Sequence, residues 1–315
     1  MHRRFLLLLV PVILLSVAPA AGQDLEELLT QVGEEYAVAY TEPLIHAFGA
    51  NQNTGLYHTA HIPKSGLTFS LGIKVQGTYL DPGDQDFRKV IRDVDLTEVF
   101  DLQPGDPGYG ERGDVVLEGP TVFGSPDQMG TATAYVDGLP VYQEETIEGL
   151  VDTRWAPMAA PEFTLGGIAG LKGTLRWLPE IDLDSYGKSK YLGYGLQWSP
   201  NFLLPPTFPV DVMVGFFKQE IDLGTIVQTD ASSYFVAASK SFGRATLYGG
   251  YAKEESTMEV DYTEEESGTN VSFKMDGKMT NRLTVGATLN LGAKLNFEMG
   301  VGQMVVYNVG LLFGM

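Results

Sequence analysis

Cysteine is missing from all 315 residues. No disulfide can therefore stabilise the fold, even in an oxidising compartment, and a lipid-anchored lipoprotein, which needs a cysteine after its leader, is not expected. Basic residues are scarce, 21 against 40 acidic, for a formal net charge of −19. Such a chain is a poor partner for a polyanion, which argues against nucleic acid. Long apolar runs are scarce as well. After Gly22 each one is broken by glycine, a charge or a polar residue well before the ~18 residues that a helical membrane span needs. Histidine is limited to His2, His46, His58 and His61.

The exception stands at the N-terminus. Arg3 and Arg4 precede an apolar run from Phe5 to Val17, and Ala18-Pro19-Ala20 follows. That order of charge, grease and small residues is a secretory signal, so residues 1–22 are expected to be a leader cleaved after Ala20 or Gly22. Without Arg3 and Arg4, 19 basic residues face 40 acidic ones, a net charge of −21.

The remaining chain alternates. From Leu67 to Leu80 the odd positions Leu67, Phe69, Leu71, Ile73, Val75 and Tyr79 are apolar, and Thr68, Ser70, Lys74, Gln76 and Thr78 lie between them. Strand side chains alternate faces, so one face is greasy and the other wet. Such a run exceeds an ordinary strand of about 5–6 residues and suits a tilted membrane strand of about 9–11. Phe163 to Trp177 repeats the pattern with Lys172 and Arg176 on the polar face. Its terminal aromatics are read as two interfacial girdles. Further runs are Leu192 to Trp198, Val210 to Phe216, Tyr234 to Ala238, Ala245 to Tyr251, and Leu283 to Val301 with a turn at 291–294. The last, Met304 to Phe313, resembles the terminal-strand signal of the outer-membrane assembly machinery, although the chain ends on Met315.

An open sheet in lipid would leave edge N–H and C=O groups unpaired, at several kcal/mol each. The expected fold is therefore all-β, a transmembrane antiparallel barrel of about 10–14 strands, even in number. Residues 23–48 read as a helix, with Leu25, Leu28, Leu29, Val32 and Tyr36 on one face, Asp24 as its cap and Pro43 as its end or kink. It is expected either exposed or as a plug before a barrel at 49–315. Residues 81–160 are irregular and read as a long loop, hatch or small insertion. The acidic clusters Glu144, Glu145, Glu148 and Glu254 to Glu266 read as solvated loops rather than metal sites.

Three stretches, GANQNTGLYHTAHIP (49–63), GTLRWLP (173–179) and YLGYGLQWSPNFLLPPTFPVDVMV (191–214), resemble an uncharacterised family of exported bacterial proteins, domain of unknown function 6588. The resemblance covers most of the mature chain. It implies an outer-membrane location and attaches no activity. A plug-like helix before a barrel is also similar, in architecture alone, to the long-chain fatty-acid transporters.

Catalytic chemistry is not expected. His58 and His61 stand near Ser65 without an H-E-x-x-H or G-x-S-x-G context, so no catalytic set, metal or cofactor is assigned. If the apolar parity faces lipid, Lys74, Lys172, Arg176, Asp211, Arg282, Lys294 and Glu298 line the lumen. A lumen richer in cations than anions would attract an anionic or amphipathic solute. The plainer reading is that these charges pair with one another and fill a narrow barrel. The functional expectation is an outer-membrane barrel passing a small hydrophobic or anionic solute, in contact with outer-membrane lipid and lipopolysaccharide. The alternatives are a non-transporting structural, adhesive or secretion-associated barrel, and a soluble periplasmic sandwich that carries lipid. The sequence leaves the oligomeric state open.

Overall fold

A computed structural model describes residues 33–182, 188–223, 227–263 and 270–314. The expected leader, the expected capping role of Asp24 and the acids Glu264 to Glu266 lie outside them. The strands are β1 (Thr68–Tyr79), β2 (Asp86–Asp95), β3 (Arg112–Pro120), β4 (Met129–Val136), β5 (Leu139–Glu148), β6 (Trp155–Ile168), β7 (Leu171–Asp182), β8 (Lys188–Trp198), β9 (Asp211–Leu223), β10 (Val227–Phe242), β11 (Ala245–Thr263), β12 (Asn270–Asp276), β13 (Asn281–Asn290), β14 (Lys294–Val301) and β15 (Val305–Gly314). One long helix, α1 (Gly33–Gln52), precedes them, and a single turn, α2 (Leu96–Val99), follows β2.

Ten strands, β1, β6 to β11 and β13 to β15, pair antiparallel around a closed ring. Closure is made by β10 against β11 and by β1 between β6 and β15. Every edge is thereby used. β12 pairs only with the far end of β11, beyond the ring. The two ends of the barrel differ. At one, β6–β7, β10–β11 and β13–β14 turn within a few residues, and Gly314 of β15 lies opposite Ser70 of β1. At the other, β9, β10 and β11 run on, and residues 80–154 intervene between β1 and β6. The irregular stretch holds an antiparallel sheet, β2-β3-β4-β5, which caps that end. Two acidic clusters are thus strands rather than solvated loops: Glu144, Glu145 and Glu148 lie on β5, and Glu254 to Asp261 on β11.

The face assignment follows the alternation. Phe69, Leu71, Val75 and Tyr79 of β1 are exposed, and Ser70, Lys74, Gln76 and Thr78 are buried inside. All ten ring strands expose large apolar side chains, among them Leu175, Leu196, Val214, Val236, Leu247, Val285, Phe297 and Val309. A soluble sandwich would pack that parity inward, so the lipid-carrier sandwich is not the fold. On β8, β9 and β11 the outer face turns charged at Lys190, Lys218 and Lys253, above Leu192, Phe216 and Tyr251. Exposed ion pairs continue that level, with Lys190 2.7 Å from Asp222 and Lys218 3.1 Å from Glu220. Below it the band runs over 9 residues on β10 (234–242) and 11 on β1 (69–79). At about 3.3 Å per residue and a tilt near 40°, that is roughly 20–25 Å of grease, close to the ~25 Å band of outer-membrane barrels.

One detail of the alternation is corrected. Phe163 to Trp177 is a hairpin, not one strand: β6 turns into β7 through Ala169 (φ 52°) and Gly170 (φ 72°). Phe163 lies opposite Leu175, so the two aromatics stand at neighbouring heights and do not mark two girdles. Aromatics do gather at both margins, Tyr79, Trp155 and Tyr307 in contact at the capped end and Phe69, Trp198 and Phe313 at the other.

Candidate functional site in the barrel lumen

Ten strands about 4.8 Å apart and tilted about 40° close at a backbone diameter of roughly 20 Å. Inward side chains take about half of that, which leaves a channel about as wide as one helix. The chain fills it with its own N-terminal segment. α1 begins under the cap sheet, where Thr146 Oγ1 donates to the Tyr36 hydroxyl (2.8 Å) and Tyr40 donates to the Glu148 carbonyl (3.3 Å). It then runs down the lumen, past Pro43. Proline removes a helix donor at a cost of about 3 kcal/mol, yet the helix continues to Gln52 rather than ending there. Val122 N–H donates to the Tyr40 carbonyl (3.2 Å), an external donor in the turn before the proline.

Three of the predicted lumen cations meet the end of this helix. The last carbonyls of a helix lack intrahelical donors and carry the negative end of its dipole. Arg282 donates to the Ala50 carbonyl (2.7 Å) and to the Thr54 hydroxyl. Arg176 donates to the carbonyls of Gln52 (3.2 Å), Thr54 (3.0 Å) and Gly55 (2.7 Å). Lys74 also donates to the Gly55 carbonyl. Gly55 adopts φ 68°, and an added Cβ would stand 3.0 Å from Lys74 Cδ. Only glycine allows both that backbone and that approach.

Each cation also has a carboxylate. Glu162 places one oxygen 3.5 Å from Lys74 and the other 3.1 Å from Arg176, and Glu254 stands 3.0 Å from Arg282. Glu298 accepts from Gly55 N–H (2.9 Å) and the Tyr248 hydroxyl (3.0 Å). Lys74, Arg176 and Arg282 thus face Glu162, Glu254 and Glu298, three against three. The lumen centre is balanced rather than cation-rich. Glu162 precedes the first residue assigned to its run, and Glu254 was grouped with solvated acids. The continued alternation of β11, with Ala252, Glu254 and Ser256 buried and Lys253 and Glu255 exposed, is the signal that identifies the second.

Below Gly55 the segment continues without helix. Leu56, Tyr57, Ala60 and Ile62 pack on Met213, Phe217, Phe235, Ala237 and Tyr248 of the inner wall, with Tyr57 stacked on Phe235 at 4.8 Å. The predicted residues Lys172, Lys294 and Asp211 are at this short-turn end, away from the network. Asp211 is at the rim, 3.1 Å from His61 Nδ1 and accepting from Asn201 Nδ2 (2.8 Å). Lys172 and Lys294 face a cavity of about 320 Å³ between the exiting segment and the strand ends. His58 and His61 both lie there and form no metal set. Among the described residues no group of three His, Cys, Asp or Glu is arranged to hold a metal.

Fold and lumen together define a class: a closed ten-stranded antiparallel barrel, apolar outside, with its own N-terminal helix inside. The chain belongs to the family described as a family of unknown function (DUF6588), which it matches over residues 1–315. No curated protein matches it. Among solved structures it is similar to OmpT of Vibrio cholerae, an outer membrane protein in trimer form, at 11% identity over 79% of this chain and 99% of that one, TM-score 0.26. The toluene transporter TbuX of Ralstonia pickettii is 9% identical over 86% and 98%, TM-score 0.26. The outer membrane protease OmpT of Escherichia coli is 9% identical over 79% and 95%, TM-score 0.25. Likenesses at these scores carry no argument, and the barrel rests on its strand pairing.

Proposed function

We propose that this protein is an outer-membrane barrel that passes a small solute only when its N-terminal segment yields. The observation that carries the membrane part is the apolar outer face on all ten ring strands, above which the charge begins. Short turns face the periplasm in bacterial barrels, so the cap sheet is assigned to the outside and the cavity mouth to the periplasm. Outer-membrane lipid and lipopolysaccharide are then its surroundings, and the assembly machinery its route there. No catalytic role is assigned.

The gated part follows from how the lumen is filled. Segment 50–55 is held largely by hydrogen bonds from the ion-paired side chains of the wall, which can be exchanged for water, rather than by a sealed apolar core. A second reading, a permanently plugged structural barrel, is favoured by the apolar packing on either side of that segment, Ala47 and Ala50 above and Leu56 and Tyr57 below. A disulfide separates the two, because the chain has no cysteine of its own. An added Cβ at Gly49 would lie 2.7 Å from Ser256 Cβ, about 1 Å inside the usual disulfide separation, so the helix must move off β11 by about that much for the cysteine pair to fit and bond. In planar bilayers the reduced Gly49→Cys/Ser256→Cys protein should show brief openings, which vanish on oxidation and return with reductant. Steady conductance indifferent to the lock would overturn gating. Silence in every state, even after Arg176→Met and Arg282→Met loosen the segment, would establish the plugged reading.

A further inference from the structure

The charges of the lumen centre are matched, but those of the periplasmic mouth are not. Lys172 on β7 is only 8% exposed, and no hydrogen bond or ion pair to it occurs among the described residues. The carboxylate whose charge acts on it, Glu162, has both oxygens engaged by Lys74 and Arg176. A buried ammonium without a counter-ion is costly, and an anion in an adjoining cavity would offset that cost. Lys172 faces the ~320 Å³ cavity, and so do Lys294 and Arg244. No aspartate or glutamate lines that cavity. Asp211 is outside the lining and already engaged, by His61 at the cavity edge (3.1 Å) and by Asn201 (2.8 Å). The lining also includes Ser70 and Thr164, whose hydroxyls bond each other at 2.6 Å, Thr288, whose hydroxyl donates to the His58 carbonyl (2.8 Å), and an apolar side from Phe69 and Ile62.

We infer that this cavity is a binding site for a small oxyanion, a carboxylate or phosphate group, with Lys172 as its buried anchor and Lys294 and Arg244 at the open side. The geometry suits such a group on general grounds. Pockets of roughly 300 Å³ and above hold small molecules, charge-assisted hydrogen bonds to carboxylate and phosphate are about twice as strong as neutral ones, and a desolvated lysine strengthens them further. The site stands on the barrel and its mouth, and binding there requires no passage through the lumen. A silent bilayer with intact binding would therefore sink the transport reading and leave this one standing. The oxyanion can come from a soluble solute or from a lipid headgroup, since Phe69 at the rim also faces outward.

The test is calorimetric titration of the full mature chain in neutral detergent with inorganic phosphate and with succinate, at low salt. Saturable binding of at least one anion is expected. Lys172→Met should abolish it, and Lys294→Gln or Arg244→Gln should weaken it by about tenfold, from the usual worth of a hydrogen bond to a charged group. Lys172→Met should keep the heat-modifiable gel mobility of a folded barrel. Because it removes an unpaired buried charge, it should melt higher than the anion-free wild type, while anion raises the melting temperature of the wild type alone. Repeating the titration in micelles doped with an anionic phospholipid distinguishes the source. Competition by the lipid assigns the site to a headgroup, and its absence to a soluble anion. Failure of both anions and the doped lipid to bind, or binding unchanged by Lys172→Met, would overturn the inference.

Discussion

Arg282 offers the sharpest energetic test of the filled lumen. Its guanidinium and the Glu254 carboxylate are almost wholly buried, 3.0 Å apart, and the same guanidinium holds the Ala50 carbonyl at the end of α1. Breaking a buried pair by removing one partner costs about 3–5 kcal/mol, because the other charge is left uncompensated. Arg282→Met should therefore destabilise the protein by that amount. Adding Glu254→Leu removes the orphaned carboxylate and should return about 2 kcal/mol of the loss. A residual of about 1–3 kcal/mol should remain for the helix carbonyls that lose their donor. The assay is equilibrium unfolding in urea from lipid vesicles, followed by tryptophan emission, since Trp155, Trp177 and Trp198 all stand on the barrel wall. The reasoning is refuted if Arg282→Met and the double variant both lie within about 0.5 kcal/mol of wild type, the range of ordinary surface changes. That outcome would mean a water-filled lumen with solvated charges and a loosely held segment.

Further outcomes follow from the same geometry. Val285→Arg places a charge in the middle of the outer band of β13 and should cost about 2–4 kcal/mol in vesicles, whereas an exposed site in water would tolerate it. Its unfolding curve against wild type reads this directly. His46, on α1 beneath the cap, is pushed below its usual value of 6.5, first by burial and then by Lys278, with Glu42 opposing. The folded state thus resists protonation more than the unfolded one. Stability should be complete above the unfolded value and fall as pH drops through it towards the folded one. His46→Gln should flatten that part of a melting-temperature profile measured between about pH 7 and pH 4, on either side of the ordinary histidine range.

The strands were legible because membrane strands repeat one physical rule over many residues. Leu67 to Leu80 and Leu283 to Val301 carry the rule without interruption, and the turn expected at 291–294 falls between β13 and β14. The hairpin at Ala169 was hidden because its bulge at 166–168 lets the apolar parity run through the turn. The helix was visible but not its end. Pro43 is a helix breaker by local propensity, and tertiary packing inside the barrel overrides it. The inward cations were legible by parity, and their partners were only half so. Glu162 and Glu254 obey the same alternation, but local acidity draws the second towards a loop reading. What no pattern announces is that backbone carbonyls of residues 50–55 would be the chief partners of Arg176 and Arg282. That contact joins positions more than 100 residues apart.

Brominated phospholipid provides the most direct test of where the greasy face lies. Each of the three tryptophans projects from the outer wall, so bromine on the acyl chains of reconstituted vesicles should quench most of their emission, and aqueous acrylamide should quench little. Unchanged emission in brominated lipid, with efficient quenching by acrylamide in a protein that still runs as a folded barrel, would mean that water covers the outer wall. The account of this protein as a membrane barrel would then be wrong.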